Sequence, residues 1–514
     1  MVSGKNITMQ LSKANLSAIV LDQASAYDGL INLPEKVLQF GTGVLLRALP
    51  DYFIDKANKK GIFNGRILVV KSTQSDSSAF DSQDGLFSIC ARGLQNGMPV
   101  EENSINASIS RVVSAQTEWN EILQAAVNSN LSVIISNTTE VGIQLVEDSI
   151  QSNPPQSFPG KLLAFLFERY RVLGNTPQQK IVVIPTELLP DNGAVLKAIV
   201  LELAHRNQID FKFMEWLEEQ VIFCNSLVDR IVPGKPSQPV LEELQQKFGY
   251  TDELLTVCEI FRLWVIEGNE EVKKILSFSV ADAGMMVLPD ISIYKELKLR
   301  LLNGTHTFNS ATAFLCGFEI TRDAVLHEVY GKFIRKIMME EIAPAIPIPI
   351  SDNLKKEFSA SVIDRFLNPF ISHHWQSVNV QITSKMKTRN IPLLLHHYAN
   401  SKQVPELMAT SFAAYLFYMK VEKMQDNQYW GIVDGKEYLI KDDCAAILHS
   451  YWKLNNAASV AEKVLSDINL WGTDLTQLPG WLAAVQMQLE NCIQCGVLHV
   501  VQMLLTQKSL VYDS

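Results

Sequence analysis

Long apolar runs are scarce in this sequence. The longest uncharged one, LMATSFAAYLFYM at 407–419, is too short to span a bilayer and is typical of a buried helix. The N-terminus, MVSGKNITMQLSKANLSAIV, lacks an apolar core behind a basic start, so it does not predict an export signal. We therefore expect no membrane partner.

Positive charge is also in short supply. The 514 residues include 45 Lys and Arg against 55 Asp and Glu, which gives a formal net charge of −10. Because nucleic-acid binding is driven by the neutralisation of phosphates, this balance argues against a nucleic-acid partner. It remains compatible with a local basic pocket that binds a small anion.

Cysteine is sparse and odd in number. The seven cysteines are scattered along the chain, a distribution typical of reduced thiols in a cytoplasmic protein. Cys492 and Cys495 have C-x-x-C spacing, but no second cysteine pair or histidine pair accompanies them. We interpret these two as packed helix residues, and the sequence predicts no metal site.

Apolar residues, by contrast, make up 47% of the chain and predict a sizeable core. In the first half, short β-rich runs alternate with helical patterns; the runs lie at 37–40, 66–70, 131–136, 180–185 and 220–225. Continuous Val/Ile runs are typical of strands buried on both faces, and strands that alternate with helices predict a parallel sheet. From about residue 285, long amphipathic helical patterns dominate. We predict an α/β domain over 1–285 and a mostly α-helical domain over 286–514.

The stretch VLQFGTGVLLRAL contains the first chemical signal. A strand is predicted to end at Phe40, and a helix to start near Val44. Glycines in such a turn let the backbone approach a pyrophosphate, although many strand–helix turns carry glycine for geometry alone. Leu46 stands where the full dinucleotide fingerprint has a third small residue. The predicted cofactor-binding residues in this stretch are Phe40, Gly41, Gly43, Val44 and Leu45.

Two further strand ends add polar candidates for the cofactor site. The second strand ends in VVKST, and Lys71 suits a 2′-phosphate better than an acidic residue would, which leaves NAD and NADP open. Lys71 could equally end the strand in solvent. In SNTTEVG, Asn137 and Thr138 could bind the cofactor and Glu140 could relay protons, because the carboxyl ends of parallel strands face the ligand crevice. The alternative is an ordinary capped loop.

The most unusual stretch is KLRLLNGTH at 298–306. On an α-helix, Lys298, Asn303 and His306 would fall within about 140° of one face. A dehydrogenase needs a group that takes the alcohol proton and donors that steady the oxyanion, and these residue types can supply both. The alternative is a lysine that reaches solvent, an asparagine cap and a satisfied histidine.

The chain resembles the polyol-specific long-chain dehydrogenase/reductase family, which includes mannitol dehydrogenases and hexuronate reductases. The matching stretches are LQFGTGVLLRA, SNTTEVG, PTELLPDNG, FCNSLVDRIVPG and KLRLLNGTH, in family order. The resemblance implies a Rossmann-type first domain, a helical second domain, an NAD cofactor and no metal. It also implies that Lys298 is the general acid/base, that Asn303 steadies the oxyanion, that His306 orients the substrate oxygens and that Glu140 is a proton relay.

Two departures from the family pattern concern the substrate. Mannitol dehydrogenases have an Asp-Asn pair where this chain has Glu187 and Leu188; Asn192 is the nearest substitute for the missing amide. Asp229, in the FCNSLVDRIVPG stretch, is a further expected substrate contact.

The second departure lies in TSKMKTRN. This stretch keeps the family's substrate-binding lysine as Lys385, whereas the family arginine eight residues earlier is Ser377. Lys387 and Arg389 follow instead. Clustered cations suit a carboxylate substrate, and the alternative is a solvated basic loop. We expect Lys385 and Arg389 to bind the substrate.

The resemblance therefore predicts a cytoplasmic enzyme that reversibly reduces a keto-hexuronate to an aldonate. The SNTTE and ELLPDNG forms favour tagaturonate, with fructuronate or an uncharged polyol as alternatives. A catalytically inactive nucleotide-binding sensor is a further alternative, against which the intact set of Lys298, Asn303 and His306 argues. We expect a monomer or a weak homo-oligomer that binds a small sugar acid.

Overall fold

The computed structural model describes residues 9–20, 24–74, 76–138, 142–174, 180–454 and 456–512. The chain forms two compact units. The first comprises Met1–Arg92 with Pro99–Ile291, and the second comprises Gly93–Met98 with Ser292–Ser514.

The first unit is built on a parallel sheet. The strands up to residue 291 are β1 (Glu35–Phe40), β2 (Arg66–Lys71), β3 (Phe87–Gln95), β4 (Met98–Asn106), β5 (Ile109–Ser114), β6 (Val133–Ser136), β7 (Ile181–Pro185), β8 (Val221–Phe223), β9 (Ser226–Asp229), β10 (Thr256–Glu259), β11 (Leu263–Glu267) and β12 (Met285–Leu288). Six of them pair in the order β5-β2-β1-β6-β7-β8, and every pairing is parallel. The five strands predicted from apolar runs are confirmed as β1, β2, β6, β7 and β8.

Burial on both faces of this sheet follows from the alternation of side chains along each strand. Val37, Val69 and Ile135 belong to one apolar core. Leu38 and Ile134 belong to the core on the other face. Strands in this position need apolar residues at every position, which is why the sequence shows continuous Val/Ile runs.

The strands of the smaller sheets were not predicted from the sequence. β10-β3-β4 and β12-β11-β9 form three-stranded sheets. β4 reads MPVEENSIN and is largely exposed, so it lacks a continuous apolar run. A strand that contributes few residues to a core leaves a weak hydrophobic signal.

Helices flank the strands of the first unit. They are α1 (Leu16–Ile19), α2 (Ala24–Ile31), α3 (Val44–Ala48), α4 (Pro50–Lys59), α5 (Ser78–Ser82), α6 (Trp119–Gln124), α7 (Phe158–Leu173), α8 (Asn192–Arg206), α9 (Phe211–Gln220), α10 (Gln238–Phe248) and α11 (Glu270–Ile275). The predicted helix start at Val44 is confirmed. The helix is interrupted at Leu49, whose φ of −128° and ψ of −77° leave the α region, because Pro50 crowds the residue before it.

The second unit is mostly helical, as predicted. Its α-helices are α12 (Ser292–Glu296), α13 (Thr305–Leu315), α14 (Thr321–Leu326), α15 (Glu328–Lys336), α16 (Asp352–Phe366), α17 (Trp375–Asn379), α18 (Ile382–Lys385), α19 (Ile391–Asn400), α20 (Glu406–Tyr418), α21 (Ala445–Trp452), α22 (Ala457–Leu465), α23 (Ile468–Trp471), α24 (Trp481–Cys495) and α25 (Val497–Tyr512). Its π-helices are π1 (Leu297–Gly304), π2 (Ile337–Ile342) and π3 (Met386–Asn390). An antiparallel sheet of β13 (Lys423–Gln425), β14 (Gln428–Val433) and β15 (Lys436–Ile440) completes it.

Helix α20 contains most of the apolar run at 407–419 and lies at the centre of the second unit. Nearly all its residues are buried, so the prediction of a buried helix is confirmed. Phe412 contacts the rings of Trp471 and Trp481 edge-on, at centroid distances of 5.3 and 5.9 Å. Helices α20 and α24 therefore share an aromatic core.

An ion-pair network ties α4 to the segment before β12 in the first unit. The Asp282 carboxylate accepts hydrogen bonds from Lys56 Nζ at 2.5 Å and Arg262 Nε at 2.9 Å. Burial opposes ionisation of Asp282, but the hydrogen bonds from Arg262 and Lys56 outweigh it and lower the pKa of the carboxyl to about 2. A carboxyl whose pKa is depressed on folding stabilises the fold above its unfolded pKa.

We predict that Asp282→Asn lowers the free energy of unfolding by about 2 kcal/mol at pH 7, because each pKa unit is worth about 1.4 kcal/mol. The deficit should shrink as pH falls from about 4 towards 2, where the wild-type carboxyl becomes protonated. Urea unfolding at pH 7 and pH 3 measures both effects. Glu270→Gln, at an exposed pair with Lys273, is the control and should cost little. Equal costs for the two variants would contradict the role of Asp282.

Candidate active site

The turn at Gly41–Gly43 lies where the strand order of the parallel sheet reverses. The chain proceeds from β1 to β2 and β5 on one side and then returns to β6 on the other. Ligands of such sheets bind outside the carboxyl ends of the strands at this switch point. The glycine turn predicted from the sequence therefore occupies the position expected of a dinucleotide site.

The two glycines in the turn play different parts. Gly41 has φ +126°, and a Cβ there would lie 2.9 Å from Leu46 Cδ1 and 3.1 Å from the Asn137 carbonyl oxygen. Leu46 thus fills the space that a third small residue would leave open. Gly43 has φ −63°, and nothing lies within 4 Å of a Cβ built on it, so the chain leaves room beside Gly43 for a ligand.

Neighbouring strand ends fix this turn. Gly41 N donates to the Val70 carbonyl at 3.0 Å, and Asn137 N donates to the Phe40 carbonyl at 3.2 Å. Asn137 Nδ2 donates to Thr186 Oγ1 at 3.0 Å. Phe40 is completely buried, so it supports the turn from the core.

Glu187 is a structural organiser of this crevice that the sequence did not identify. It is 3% exposed and accepts hydrogen bonds from Ser136 Oγ at 3.1 Å and from Thr138 N and Oγ1 at 2.8 and 3.0 Å. It follows β7, as Asn137 follows β6, so its position at a strand end was the available signal. Glu187 therefore holds Thr138 at the end of β6. Glu140 lies outside the described residues.

Lys71 ends β2 and is buried, with 8% of its surface exposed. It pairs with Ser114 in the parallel ladder. The alternative of a solvated lysine at the strand end is therefore wrong. Val44 and Leu45 open helix α3 directly after the glycine turn.

Asn192 and Asp229 are both buried in the first unit. Asn192 Nδ2 donates to the carbonyls of Pro185, Glu187 and Ser226, and its Oδ1 accepts from the backbone N–H of Ser226 and of Gly193. An amide with this many backbone partners has no donor left for a substrate, so Asn192 cannot replace the missing oxyanion donor. Asp229 ends β9 opposite Leu263 of β11.

In the second unit, the catalytic candidates lie on π1 and the start of α13. The sequence predicted an α-helix here; the structure has a π-helix at Leu297–Gly304. Hydrogen bonds in a π-helix join residues five apart, and such segments are frequent at functional sites. Lys298 and Asn303 are five apart and so lie one turn apart. The angle of about 140° was calculated for an α-helix and does not apply to this π-helix. Both are partly exposed.

Side chains join π1 and α13 to π3. Arg300 pairs with Glu296 at 2.8 Å and donates through Nη1 to the carbonyls of Thr388 and Arg389. Asn390 Nδ2 donates to the Gly304 carbonyl at 3.1 Å. These bonds satisfy backbone carbonyls in the π-helices and hold the segments of Lys298 and Arg389 together.

His306 is 7% exposed and lies among rings. It stacks on Phe366 at 4.3 Å and meets His373 edge-on at 4.9 Å. Its Nε2 is buried without a hydrogen-bond partner among the described residues. Burial is the main cause that lowers its pKa well below the ordinary value, followed by the nearby His373 and by Arg365, Arg389 and Lys385. The imidazole is neutral at pH 7.

The charged residues that lower the pKa of His306 form a cluster of cations around it. Lys385 Nζ donates to the Val378 carbonyl at 2.8 Å, and Arg389 Nη1 donates to Thr307 Oγ1 at 3.2 Å. Burial lowers the pKa of both Lys385 and Arg389, and Arg389 lowers that of Lys385 further. Both residues are partly buried, so the alternative of a solvated basic loop is not what the structure shows for them.

Arg365 and His373 belong to this cluster and were missed. Arg365 is 8% exposed on α16, and burial, Arg365, His374 and Lys385 lower the pKa of His373. Neither follows a recognisable motif: Arg365 is one basic residue in an amphipathic helix pattern. Lys387, in contrast, is exposed and donates to the Asn469 carbonyl. Ser377 is exposed on α17.

Within the second unit, no described carboxylate forms an ion pair with Lys385 or Arg389. Asp442 is the acidic group that favours the charged form of Lys385, but its oxygens accept the backbone N–H groups of Thr383 and Cys444. Cations removed from water without a paired anion are costly. The cluster is therefore suited to bind an anion that comes from outside the chain.

Across the part of the chain that the structure describes, no helix is long and apolar enough to cross a membrane. Within the same residues, no group of three or more His, Cys, Asp or Glu side chains is arranged to hold a metal ion.

Comparison with known proteins identifies the family. Residues 35–279 match the mannitol dehydrogenase Rossmann domain, and residues 290–493 match the mannitol dehydrogenase C-terminal domain. The chain belongs to the mannitol dehydrogenase family. The resemblance inferred from the motifs is thereby confirmed, and the protein is an oxidoreductase that acts on CH–OH groups.

Similar members of this family are altronate oxidoreductases. The one from Bacillus subtilis (strain 168) is 36% identical over 485 residues, which cover 93% of this chain and 97% of that protein. The one from Bacteroides thetaiotaomicron is 33% identical over 477 residues, which cover 92% and 97%.

Solved structures share the fold at lower identity. Pseudomonas fluorescens mannitol 2-dehydrogenase, in a ternary complex with NAD and D-mannitol, aligns with a TM-score of 0.67 at 22% identity and covers 97% of this chain and 100% of that one. D-sorbitol dehydrogenase in substrate-free form aligns with a TM-score of 0.74 at 20% identity and covers 92% and 96%.

Proposed function

We propose that this enzyme reduces the keto-hexuronate tagaturonate to the aldonate altronate, reversibly, with NADH as the hydride donor. The observation that carries the substrate class is the cluster of desolvated cations around His306. A hexuronate differs from a neutral ketose by one carboxylate, and Lys385 and Arg389 are cations with no carboxylate partner among the described residues of their unit. The names of the similar altronate oxidoreductases support the same substrate.

Proton transfer is assigned to Lys298. As an ammonium it would donate a proton to the substrate keto oxygen during reduction, and as an amine it would accept the proton in the reverse direction. Asn303, one π-helical turn away, would donate its amide N–H to the same oxygen and stabilise developing negative charge. The neutral imidazole of His306, with an unpartnered Nε2, would bind a substrate hydroxyl.

Arg365 extends the anion site beyond the two cations expected from the sequence. An arginine presents a planar fork that matches a carboxylate, whereas a lysine presents a point charge. Arg389 would therefore orient the carboxylate, and Lys385 and the nearby Arg365 would add positive charge. This set replaces the family arginine that is Ser377 here.

The first unit fits a dinucleotide. Gly43 offers open space at the switch point. Asn137 and Thr138 lie at the end of β6, where their donors bind Thr186 and Glu187 and so hold the backbone beside the turn. When bound, the nicotinamide supplies the hydride. We infer NAD as the cofactor from the family resemblance; buried Lys71, in place of an acidic residue, would weaken discrimination against NADP.

The first test of this function is the charge of the substrate. Arg389→Ala or Lys385→Ala should raise the KM for tagaturonate roughly 30- to 5000-fold, because losing one contact to a buried charge costs about 2–5 kcal/mol. The KM for tagatose, the neutral ketose, should change far less. Lys387→Ala, at the exposed neighbouring lysine, is the matched control. Equal losses on both substrates would mean that these residues support the fold and not carboxylate binding.

The second test concerns the cofactor site. Gly43→Val should fold normally and bind NADH roughly 10-fold or more weakly, because its side chain would fill the space beside the turn where the pyrophosphate approaches. Circular dichroism and NADH fluorescence titration measure the two properties. Gly41→Ala is the contrasting variant: with φ +126° and close neighbours, it should lose thermal stability. Unchanged NADH binding by a folded Gly43→Val protein would exclude this site.

The third test concerns Lys298. Lys298→Ala should lower kcat for tagaturonate by roughly 10²- to 10⁴-fold or more, since general acid–base catalysis contributes that much. NADH binding, measured by fluorescence, should persist because the lysine lies on the second unit and not at the glycine turn. Turnover close to that of the wild type would remove Lys298 from the proton-transfer role.

A further inference from the structure

Two side chains of the first unit hold the carbonyls of the glycine turn. Gln39 Nε2 donates to the Gly41 carbonyl at 3.4 Å, and Arg47 Nη1 donates to the Thr42 carbonyl at 3.0 Å. In a trans peptide the C=O and N–H groups point in opposite directions. The N–H groups of Thr42 and Gly43 therefore face away from Gln39 and Arg47. These two side chains set the direction in which the turn presents its donors.

Arg47 is a buried cation with neutral partners. Besides the Thr42 carbonyl, its Nε donates to Thr256 Oγ1 at 3.2 Å. Its guanidinium lies 5.7 and 5.9 Å from the ring centres of Phe80 and Phe87. Among the described residues it forms no ion pair, so nothing competes with the turn for its charge.

Asp51 is an acidic residue near Arg47 and could compete with the Thr42 carbonyl for its guanidinium. It lies four residues after Arg47, beyond the break at Leu49, and is completely buried. Its carboxyl forms no ion pair among the described residues, and Gln39 Oε1 is buried there without a hydrogen-bond partner. Burial raises the pKa of Asp51 to about 8, although a hydrogen bond from Gln39 and the charge of Arg47 lower it, and the charge of Asp55 adds to the rise.

Asp51 is one of two acidic groups whose charge acts on Arg47. With a pKa raised to about 8, its carboxyl is mostly protonated at neutral pH, and it forms no ion pair with Arg47 among the described residues. Asp252, the other acidic group that faces Arg47, also has a pKa raised by burial, and its oxygens accept bonds from Gln83, Ser88 and Leu254.

We propose that Asp51 is a positioning residue for the dinucleotide turn, and that its loss of a proton at alkaline pH draws Arg47 off the Thr42 carbonyl and weakens cofactor binding. An ion pair between two desolvated charges outweighs one hydrogen bond to a carbonyl. Once released, the peptide between Thr42 and Gly43 is free to rotate, and its N–H loses its fixed direction. The inference rests on the proposed cofactor site and adds residues that touch neither cofactor nor substrate.

The test is the pH dependence of NADH binding by the full-length protein, measured by fluorescence titration at pH 7 and pH 9.5. The wild-type Kd should rise roughly 30-fold between them, since a group with pKa of about 8 is then largely ionised. Asp51→Asn, which keeps the shape of the neutral carboxyl, should change by less than about threefold over the same range. Arg47→Met should bind more weakly already at pH 7 and lose little more at pH 9.5.

The outcomes separate this inference from the proposed function. Alkaline loss retained in Asp51→Asn, or equal wild-type affinity at both pH values, overturns the role of Asp51 and leaves the cofactor site standing. If Asp51→Asn does not fold, an Arg47→Met protein with a wild-type pH profile overturns the inference just as directly. A wild type that binds no NADH at either pH overturns both.

Discussion

A π-helix hydrogen-bonds residues five apart, and over Leu297–Gly304 this register puts Lys298 and Asn303 one turn from each other. The wider register needs outside support, because a π-helix is not a self-sufficient element. Arg300 and Asn390 supply it by capping carbonyls on π3 and π1. The same bonds hold Arg389 beside the start of α13. The chemistry of the second unit therefore depends on two unusual helical segments that stabilise each other.

The packing of the second unit removes charged side chains from water, and this desolvation sets their pKa values. Lys385 and Arg389 are both partly desolvated, and their described partners are a carbonyl and a hydroxyl. Burial is the main cause that keeps His306 neutral, and the nearby His373, Arg365, Arg389 and Lys385 add to it. A neutral imidazole can both donate and accept hydrogen bonds, which suits recognition of sugar hydroxyls. An anionic substrate would supply the counter-charge that the described part of this unit does not.

In the first unit, buried polar side chains hold the backbone of the predicted cofactor site. Glu187 binds the segment after β6, and Gln39 and Arg47 bind the carbonyls of the glycine turn. These groups act on the cofactor site through the backbone and need no contact with a ligand. They fix the backbone from the protein side and leave its open side for the dinucleotide. Beside Arg47, burial raises the pKa of the Asp51 carboxyl to about 8.

The sequence alone determined the features that depend on local pattern. Continuous apolar runs predicted five strands of the sheet, the G-x-G turn marked the end of β1, and KLRLLNGTH together with four other stretches indicated the family. The periodicity of apolar residues and the positions of glycines involve only a few neighbouring residues, so they can be recognised in the sequence. Asn303 and Lys298 were recognised as a pair by this route, although their geometry was assigned to the wrong kind of helix.

Tertiary structure decided the rest, because it depends on residues distant in the chain. The π register changes hydrogen bonds without changing the side-chain pattern, so no periodicity reveals it. Arg365 and His373 reach His306 from separate segments, and Arg365 carries no motif. Asn192 looked available in sequence, yet its amide is occupied by backbone groups of three residues that only folding brings together. The burial of a side chain and its hydrogen-bond partners decide whether it is charged and whether it can bind a ligand. Both depend on the tertiary packing of the chain.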